Sequence, residues 1–402
     1  RADTMDAGGQ EQCNEEQSVS PERPLGPAAK GKLTGVDLFR ALGSPYRIVA
    51  PMVDQSELPF RMLCRRYGAD LAYTPMFHSR LFCESEHYRK EQWSTCPEDR
   101  PLFVQFCAND PDTFLRAARM VEQDCDAVDL NLGCPQRIAR SGFYGAYLMD
   151  EWALLHDMVN LLHRELAVPI TCKIRVFPEV EKTVAYAKML QNAGCQILGV
   201  HGRLREQRGQ NKGLADWDKI KAVKEALDIP VIANGNILSM EDVRECMRYT
   251  GCDGVMSAET LLAYPALFSG QKDVNTVDLA SEYLDLVEQF PVGFQMVKAH
   301  FFAMLYPHLE RYPSIRERLH KSSSLDGLPG WRQLLDDLRS RMLELPEGEQ
   351  APKRGYWRSH EKLPMAGAGV GSSSVGSSDG NLVQVEDSES LMEGFDLLGL
   401  GD

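Results

Sequence analysis

The chain has 402 residues, 25% of them charged and 43% apolar, with a formal net charge of −14. That length suits two or three domains, or one large barrel with an appendage, and the balance is that of an ordinary globular protein. No apolar run reaches the roughly 18 residues of a membrane span. Eleven cysteines without a CxxC pair argue against a disulfide scaffold, a structural zinc site or a thioredoxin-type motif. The global acidity argues against non-specific nucleic-acid binding, which needs Lys and Arg, but leaves room for a local basic face.

In chain order, residues 1–38 are rich in Gly, Pro, Glu and Gln and read as a disordered segment. From Arg47 to Leu261, short apolar, β-branched runs alternate with longer amphipathic stretches. The runs are RIVAPM (47–52), ADLAYTPM (69–76), PLFVQFCA (101–108), AVDLNLG (127–133), PITCKIRV (169–176), QILGVHGR (196–203), PVIANGNI (230–237) and GVMSAETL (254–261). Near-continuous apolar strands suit a parallel sheet covered by helices. Between them, Thr113–Glu122 and Lys182–Ala193 show helical spacing, and Asp110, Asp150 and Ser239 are the expected helix N-caps. Eight βα units predict an α/β fold, a TIM (β/α)8 barrel over residues 39–270. The alternative is a doubly wound open sheet, although no GxGxxG follows the first strand. Residues 271–346 carry no strand pattern and predict a small all-α domain: Thr276–Gln289, Gly293–Pro307, Pro313–Lys321 and Pro329–Leu343, punctuated by Pro291, Pro307 and Gly327. Residues 347–402 read as a disordered Gly/Ser-rich acidic tail.

A TIM barrel does its chemistry at the C-terminal ends of its strands, and that rule selects the residues to inspect. They are Pro51-Met52, Gln105 and Asn109, Asn131-Leu132-Gly133-Cys134-Pro135, Lys173 and Arg175, His201-Gly202-Arg203, Asn234-Gly235-Asn236 and Ser257-Ala258-Glu259. Singly, each has an ordinary structural explanation. Together they form a polar ring on an apolar scaffold. Cys134 stands apart from Cys64, Cys107, Cys125, Cys172, Cys195, Cys246 and Cys252, which read as packing, because it lies in a Gly-bearing loop before a proline. Three basic clusters are visible: Arg137 with Arg140; Arg203, Arg205, Arg208 and Lys212; and Arg311, Arg316, Arg318, His320 and Lys321. These residues alone support an anion-binding TIM-barrel enzyme.

The block Asn131-Leu132-Gly133-Cys134-Pro135, followed by Gly142 and Tyr144-Gly145-Ala146, resembles the signature of the tRNA-dihydrouridine synthase family. So do Val49-Ala50-Pro51-Met52, Thr171-Cys172-Lys173-Ile174-Arg175, His201-Gly202-Arg203 and Asn234-Gly235-Asn236. Asp129-Leu130-Asn131 and Ser257-Ala258-Glu259 are similar to the branch that acts on D-loop positions 16 and 17. The resemblance, over about residues 45–345, implies an FMN-dependent reductase that saturates the C5–C6 bond of a tRNA uridine, with NADPH or NADH as reductant. By matching motifs it places Pro51, Met52 and Val53 against the isoalloxazine, Gln105 and Lys173 at its polar edge, and His201 near flavin and phosphate. Asn234, Gly235 and Asn236 meet the ribityl-phosphate end, and Ala258 and Glu259 close the phosphate site. Cys134 becomes the acid that protonates C5. Asn109 and Asn131 face the uracil edge, Arg175 stabilises developing negative charge, and Arg137, Arg140, Arg203 and Arg205 meet RNA phosphate. The chain departs from the family where many members carry Gly-Arg and it carries Ala258-Glu259, a carboxylate where an anion must bind. The helical domain is expected to bind tRNA. The protein is expected to be a monomer without metal or membrane contact, in the cytoplasm or nucleus; because the sequence begins at Arg1, an organelle address is left open. Two rival functions remain at this point: a flavin barrel reducing a free small molecule of dihydropyrimidine or enoate type, and a non-catalytic tRNA-binding barrel.

Overall fold

The computed structural model describes residues 31–208, 213–324 and 327–344. Residues 1–30 of the N-terminal segment, Lys212 and the acidic tail 347–402, all assigned above, lie outside the described residues; residues 35–38, assigned there to disorder, instead begin the helix Gly35–Ala41, because Leu38 is buried in the barrel core.

Nine parallel strands form one sheet: β1 (Arg47–Val49), β2 (Leu71–Tyr73), β3 (Phe77–His78), β4 (Leu102–Cys107), β5 (Ala127–Leu132), β6 (Ile170–Arg175), β7 (Leu198–His201), β8 (Val231–Asn234) and β9 (Gly254–Ser257). Pairing runs β1 to β9 and back through β8, β7, β6 and β5 to β4, and β2 joins both β1 and β4. Eight strands therefore close into a TIM barrel, and β3 is an extra two-residue strand on the flank of β4. The open-sheet alternative is excluded by the β2–β4 pairing, Ala72 opposite Leu102 and Tyr73 opposite Phe103.

Each strand is shorter than its apolar run, and the residues past its C-terminal end turn into the loops at the mouth. The second run breaks at Thr74-Pro75, where the proline has no N–H to donate. Side chains alternate between two cores, as the period of two requires. One set packs outward against the helices. The other, with Ile48, Leu71, Tyr73, Phe103, Ala127, Ile232 and Met256, fills the barrel and meets Leu38 and Phe39 of the helix Gly35–Ala41.

Two helix starts follow their predicted caps: Asp110 accepts from Thr113 N–H and Ser239 from Asp242 N–H. Asp150 does not cap. The helix Trp152–Glu165 starts one residue later, and the Asp150 carboxylate bonds Lys182 at 2.9 Å instead. Beyond the barrel come helices Thr276–Gln289, Phe294–Arg311, Pro313–Lys321 and Gly327–Leu343. Pro307 does not end its helix, contrary to expectation. A mid-helix proline removes one hydrogen bond, but Met304, Leu305, His308 and Leu309 are buried on either side of it and hold the helix in place.

This helical region is fastened to the barrel by a buried seam. Glu57, four residues past Val53, accepts from Tyr283 Oη at 2.7 Å and pairs with His300 Nε2 at 3.0 Å. Phe60 stacks on the His300 ring at 4.4 Å.

Candidate active site

Strand register arranges the predicted residues in layers. The lower polar layer is Gln105 opposite Asp129 opposite Thr171. The next is Asn131 opposite Lys173 opposite Gly199. The uppermost is Arg175 opposite His201 opposite Asn234. One ladder thus brings residues from positions 105 to 234 to a single mouth.

The lower layer is internally satisfied. Asp129 accepts from Thr171 Oγ1 at 2.6 Å and from Gln105 Nε2 at 2.8 Å. Burial pushes its carboxyl up to about 6, against the pull of those two bonds and of Lys173. Gln105 is fully buried, and its Oε1 accepts from Asn131 Nδ2 at 2.8 Å. Asn131 in turn accepts on Oδ1 from the N–H groups of Gly133 (3.1 Å) and Cys134 (2.9 Å). A chain of hydrogen bonds therefore runs from Thr171 to the backbone of Cys134. Asn131, expected at a uracil edge, spends its amide on shaping the loop that carries the thiol.

Lys173 is the exception. It is 9% exposed, yet its Nζ has no hydrogen-bond acceptor and no ion pair among the described residues. Burial and the neighbouring Arg175 lower its pKa to about 8. Gly199 stands opposite, and a Cβ there would lie 3.4 Å from Lys173 Cγ, so the absent side chain leaves room for the lysine stem. Cys134 is half-buried in the loop after β5, and burial pushes its thiol up despite the pull of Arg175 and Lys173. It is a protonated thiol at neutral pH. Gly145, at φ +63°, closes over it: a Cβ there would come within 2.8 Å of Cys134 O. Arg175 donates to Gly133 O (2.8 Å), Leu204 O (2.8 Å) and Gln207 O (3.0 Å), tying the Cys134 loop to the loop after β7. Its pKa falls to about 10, first through burial and then through Arg203.

On the other side, Arg203 donates to His201 Nε2 (3.0 Å), Asn236 Oδ1 (2.9 Å) and Gly213 O (3.2 Å). Arginine only donates, so His201 accepts on Nε2. Gly235 (φ +116°) and Asn236 (φ +62°) make the left-handed turn after β8, and a Cβ on Gly235 would collide with Ala215 at 2.5 Å. Asn234 donates to Met256 O. Ala258 precedes the short helix Glu259–Ala263, and Glu259 is exposed there. The charge of Glu259 reaches Arg203, so this corner sets a cation beside the carboxylate that replaces the usual arginine. Pro51 and Met52 are half-buried on the loop after β1, and Val53 is exposed.

The remaining predicted residues lie farther out. Asn109 is exposed and donates to Gly142 O. Arg137 and Arg140 are exposed on the helix Arg137–Ser141. Arg205 lies over the Tyr147 ring and reaches Asp150 at 3.6 Å. Arg208 donates to Pro135 O. In the helical region, Arg318 pairs with Asp337 and Lys321 with Glu317, so that basic cluster is partly neutralised. Among the described residues no group of metal-ligating side chains assembles, and no helix is long and apolar enough to cross a membrane. The Glu57–His300–Tyr283 seam gave no sequence signal, since 243 residues separate its ion pair.

A closed (β/α)8 barrel whose mouth collects a thiol, an unpaired ammonium and a ring of amides is a TIM-barrel enzyme. The dihydrouridine synthase family model matches residues 48–353, and the chain belongs to that family. It is 53% identical over 307 residues to a Rattus norvegicus protein described as tRNA-dihydrouridine(16/17) synthase-like, NAD(P)(+), covering 76% of this chain and 70% of that one. A Schizosaccharomyces pombe tRNA-dihydrouridine(16/17) synthase, NAD(P)(+), is 46% identical over 334 residues, 79% of this chain and 84% of its own. A Homo sapiens tRNA-dihydrouridine(20a/20b) synthase-like protein is 36% identical over 273 residues, 67% of this chain and 84% of its own.

Proposed function

We propose that this chain reduces the C5–C6 bond of uridine to dihydrouridine in the D-loop of tRNA, at positions 16 and 17, with FMN as cofactor and NADPH or NADH as reductant. The observation that carries the reading is the pairing, at one barrel mouth, of a protonated, loop-anchored Cys134 with Lys173, whose side chain is buried and whose ammonium meets no acceptor among the described residues. A buried, unpaired charge is expensive, and a ligand acceptor removes the expense. The greater identity to the 16/17 relatives than to the 20a/20b relative supports the choice of position.

The residues fit FMN. Lys173 offers a charge-assisted donor to the polar edge of a flavin ring. Pro51, Met52 and Val53 offer apolar surface. His201, Arg203 and the Gly235-Asn236 turn form a cationic, tightly packed corner suited to a phosphate, where Arg203 takes over from the arginine that Ala258-Glu259 lack. Gln105 acts through Asn131 and Asp129, which it ties together beneath the mouth.

Bound reduced flavin supplies the hydride for uracil C6. The protein must deliver a proton to C5 and settle the charge that develops at O4. Cys134 holds that proton because burial keeps the thiol neutral; a positioned acid of this kind contributes typically 10²–10⁴-fold. Asn131 fixes the thiol by gripping two N–H groups of its loop. Arg175 fixes the same loop from the other side while keeping a positive charge beside it, and Lys173 adds a second charge where negative charge accumulates. The target base must leave the tRNA stack to reach this mouth, and Asn109, Arg137, Arg140 and Arg205 lie where RNA would approach.

The test is to purify the protein, record its visible spectrum, and incubate it with unmodified tRNA and NADPH. Flavin bands and dihydrouridine mapped to positions 16 and 17 support the reading. Dihydrouridine only at position 20 would move the chain to another specificity. Reduction of free uracil without tRNA activity would make it a small-molecule reductase. A colourless protein that binds tRNA but cannot be loaded with FMN would leave only RNA binding.

A further inference from the structure

The helix Arg137–Ser141 that follows Cys134 ends in an unusual way. Helices commonly close with a left-handed residue, and glycine is the ordinary choice. Here Gly142 keeps φ −81°, and the left-handed position falls on Phe143 at φ +52°. Among the described residues the other non-glycine positions with positive φ are Ser44, Asp54 and Asn236, whose side chains are short and polar. A bulky aromatic there is a strained outlier. The turn seats Tyr144, which is buried beside Cys134 and fills the space a Cβ on Gly142 would need, but it leaves Phe143 itself 45% exposed. Ile138, on the same short helix, is 62% exposed. The backbone of the turn is nevertheless held firmly. Gly142 N–H donates to Ile138 O, Tyr144 N–H to Ala139 O, and Asn109 grips Gly142 O.

The same segment carries charge. Arg137 and Arg140 flank Ile138, and Arg140 has no ion pair among the described residues. An exposed aromatic on a segment that also carries arginines is suited to stack an unpaired nucleobase while the cations meet its phosphates.

We propose that Phe143, supported by Ile138, is a stacking wedge for the RNA substrate: the base flanking the extruded uridine packs on the Phe143 ring, with Arg137 and Arg140 on the adjoining phosphates. This rests on the tRNA reading above and adds the residue that stabilises the opened stack. The strained φ seats Tyr144 and leaves the Phe143 ring out beside the Cys134 loop.

The test uses Phe143→Gly and Phe143→Trp in the full chain. Glycine relieves the positive φ, so Phe143→Gly should melt at or above the wild-type temperature. A clearly lower melting temperature would show that the ring is structural and overturn the wedge. Unmodified tRNA carrying 2-aminopurine next to the target uridine reports the stacking directly. Wild type should quench its fluorescence; Phe143→Gly should lose most of the quenching and at least tenfold in kcat/KM, and Phe143→Trp should restore both. A glycine variant that quenches and turns over like wild type overturns the wedge and leaves the patch to another partner. Absence of dihydrouridine with wild-type protein is a separate outcome, which overturns the tRNA reading itself.

Discussion

The molecule buries charge in two places and treats it differently. Beside the helix Leu58–Arg66, Asp99 accepts from Arg61 at 2.6 and 2.9 Å and from Arg65 at 3.0 Å. Four more guanidinium hydrogens go to the carbonyls of Ser56, Ser94, Arg100 and Pro101. In the seam the Glu57 carboxylate is likewise met inside the protein, by Tyr283 and His300, although His300 Nδ1 has no partner among the described residues. At the barrel mouth, the Lys173 side chain is buried and its ammonium meets no acceptor among the described residues, and burial pulls its pKa down. A buried charge with every partner inside the protein holds the fold together. One whose partner is missing marks a place kept for a ligand.

Breaking the satisfied network gives the largest effect. Asp99→Ala leaves two buried guanidinium groups without their carboxylate and should destabilise the protein by about 3–5 kcal/mol, measured as a loss of melting temperature or urea midpoint. Lys173→Met sharpens the contrast by going the other way. The ligand-free protein should melt no lower than wild type, while FMN affinity in equilibrium dialysis should fall at least tenfold. A stability loss comparable to that of Asp99→Ala would make Lys173 structural and dissolve the distinction.

Asn131→Ala tests the hydrogen-bond chain between the two kinds of site. It frees the N–H groups of Gly133 and Cys134 and should lower kcat by roughly 10- to 100-fold with little change in KM for tRNA, because an unmade bond here disturbs the acid rather than the binding surface. The smallest effect is a pH dependence. The folded pKa of Lys173 lies below the unfolded 10.5, at about 8. Between those values the unfolded chain holds the proton and the folded one does not, so ligand-free stability should rise with pH across that window. FMN affinity should move oppositely, weakening as pH rises through about 8. Both slopes should vanish in Lys173→Met.

Much of this was legible in the residues. The eight apolar runs mark the eight barrel strands, and three of the four distal helices end at or beside their expected residues. Pro307 and Asp150 misled because burial of neighbouring side chains and a long-range ion pair outweighed local preference. The polar ring was legible as a set, since one architecture brings all strand ends together. Which members face a ligand and which face each other was not. Gln105, Asn131 and Arg175 are committed to partners chosen by strand register and loop path, and neither is written in local sequence. The left-handed φ of Phe143 was hidden by Gly142, the residue that local rules would put there.

The central claim is that Cys134 delivers a proton to uridine in tRNA from a mouth that holds FMN. The most direct measurement compares wild type with Cys134→Ala in a single turnover, with the flavin reduced beforehand and unmodified tRNA added without oxygen. The account predicts matching flavin spectra and tRNA affinities, with dihydrouridine formed by wild type and slowed 10²–10⁴-fold in the variant. Equal rates in the two proteins would contradict the role given to Cys134, and a wild-type protein that leaves the tRNA unreduced would contradict the activity itself.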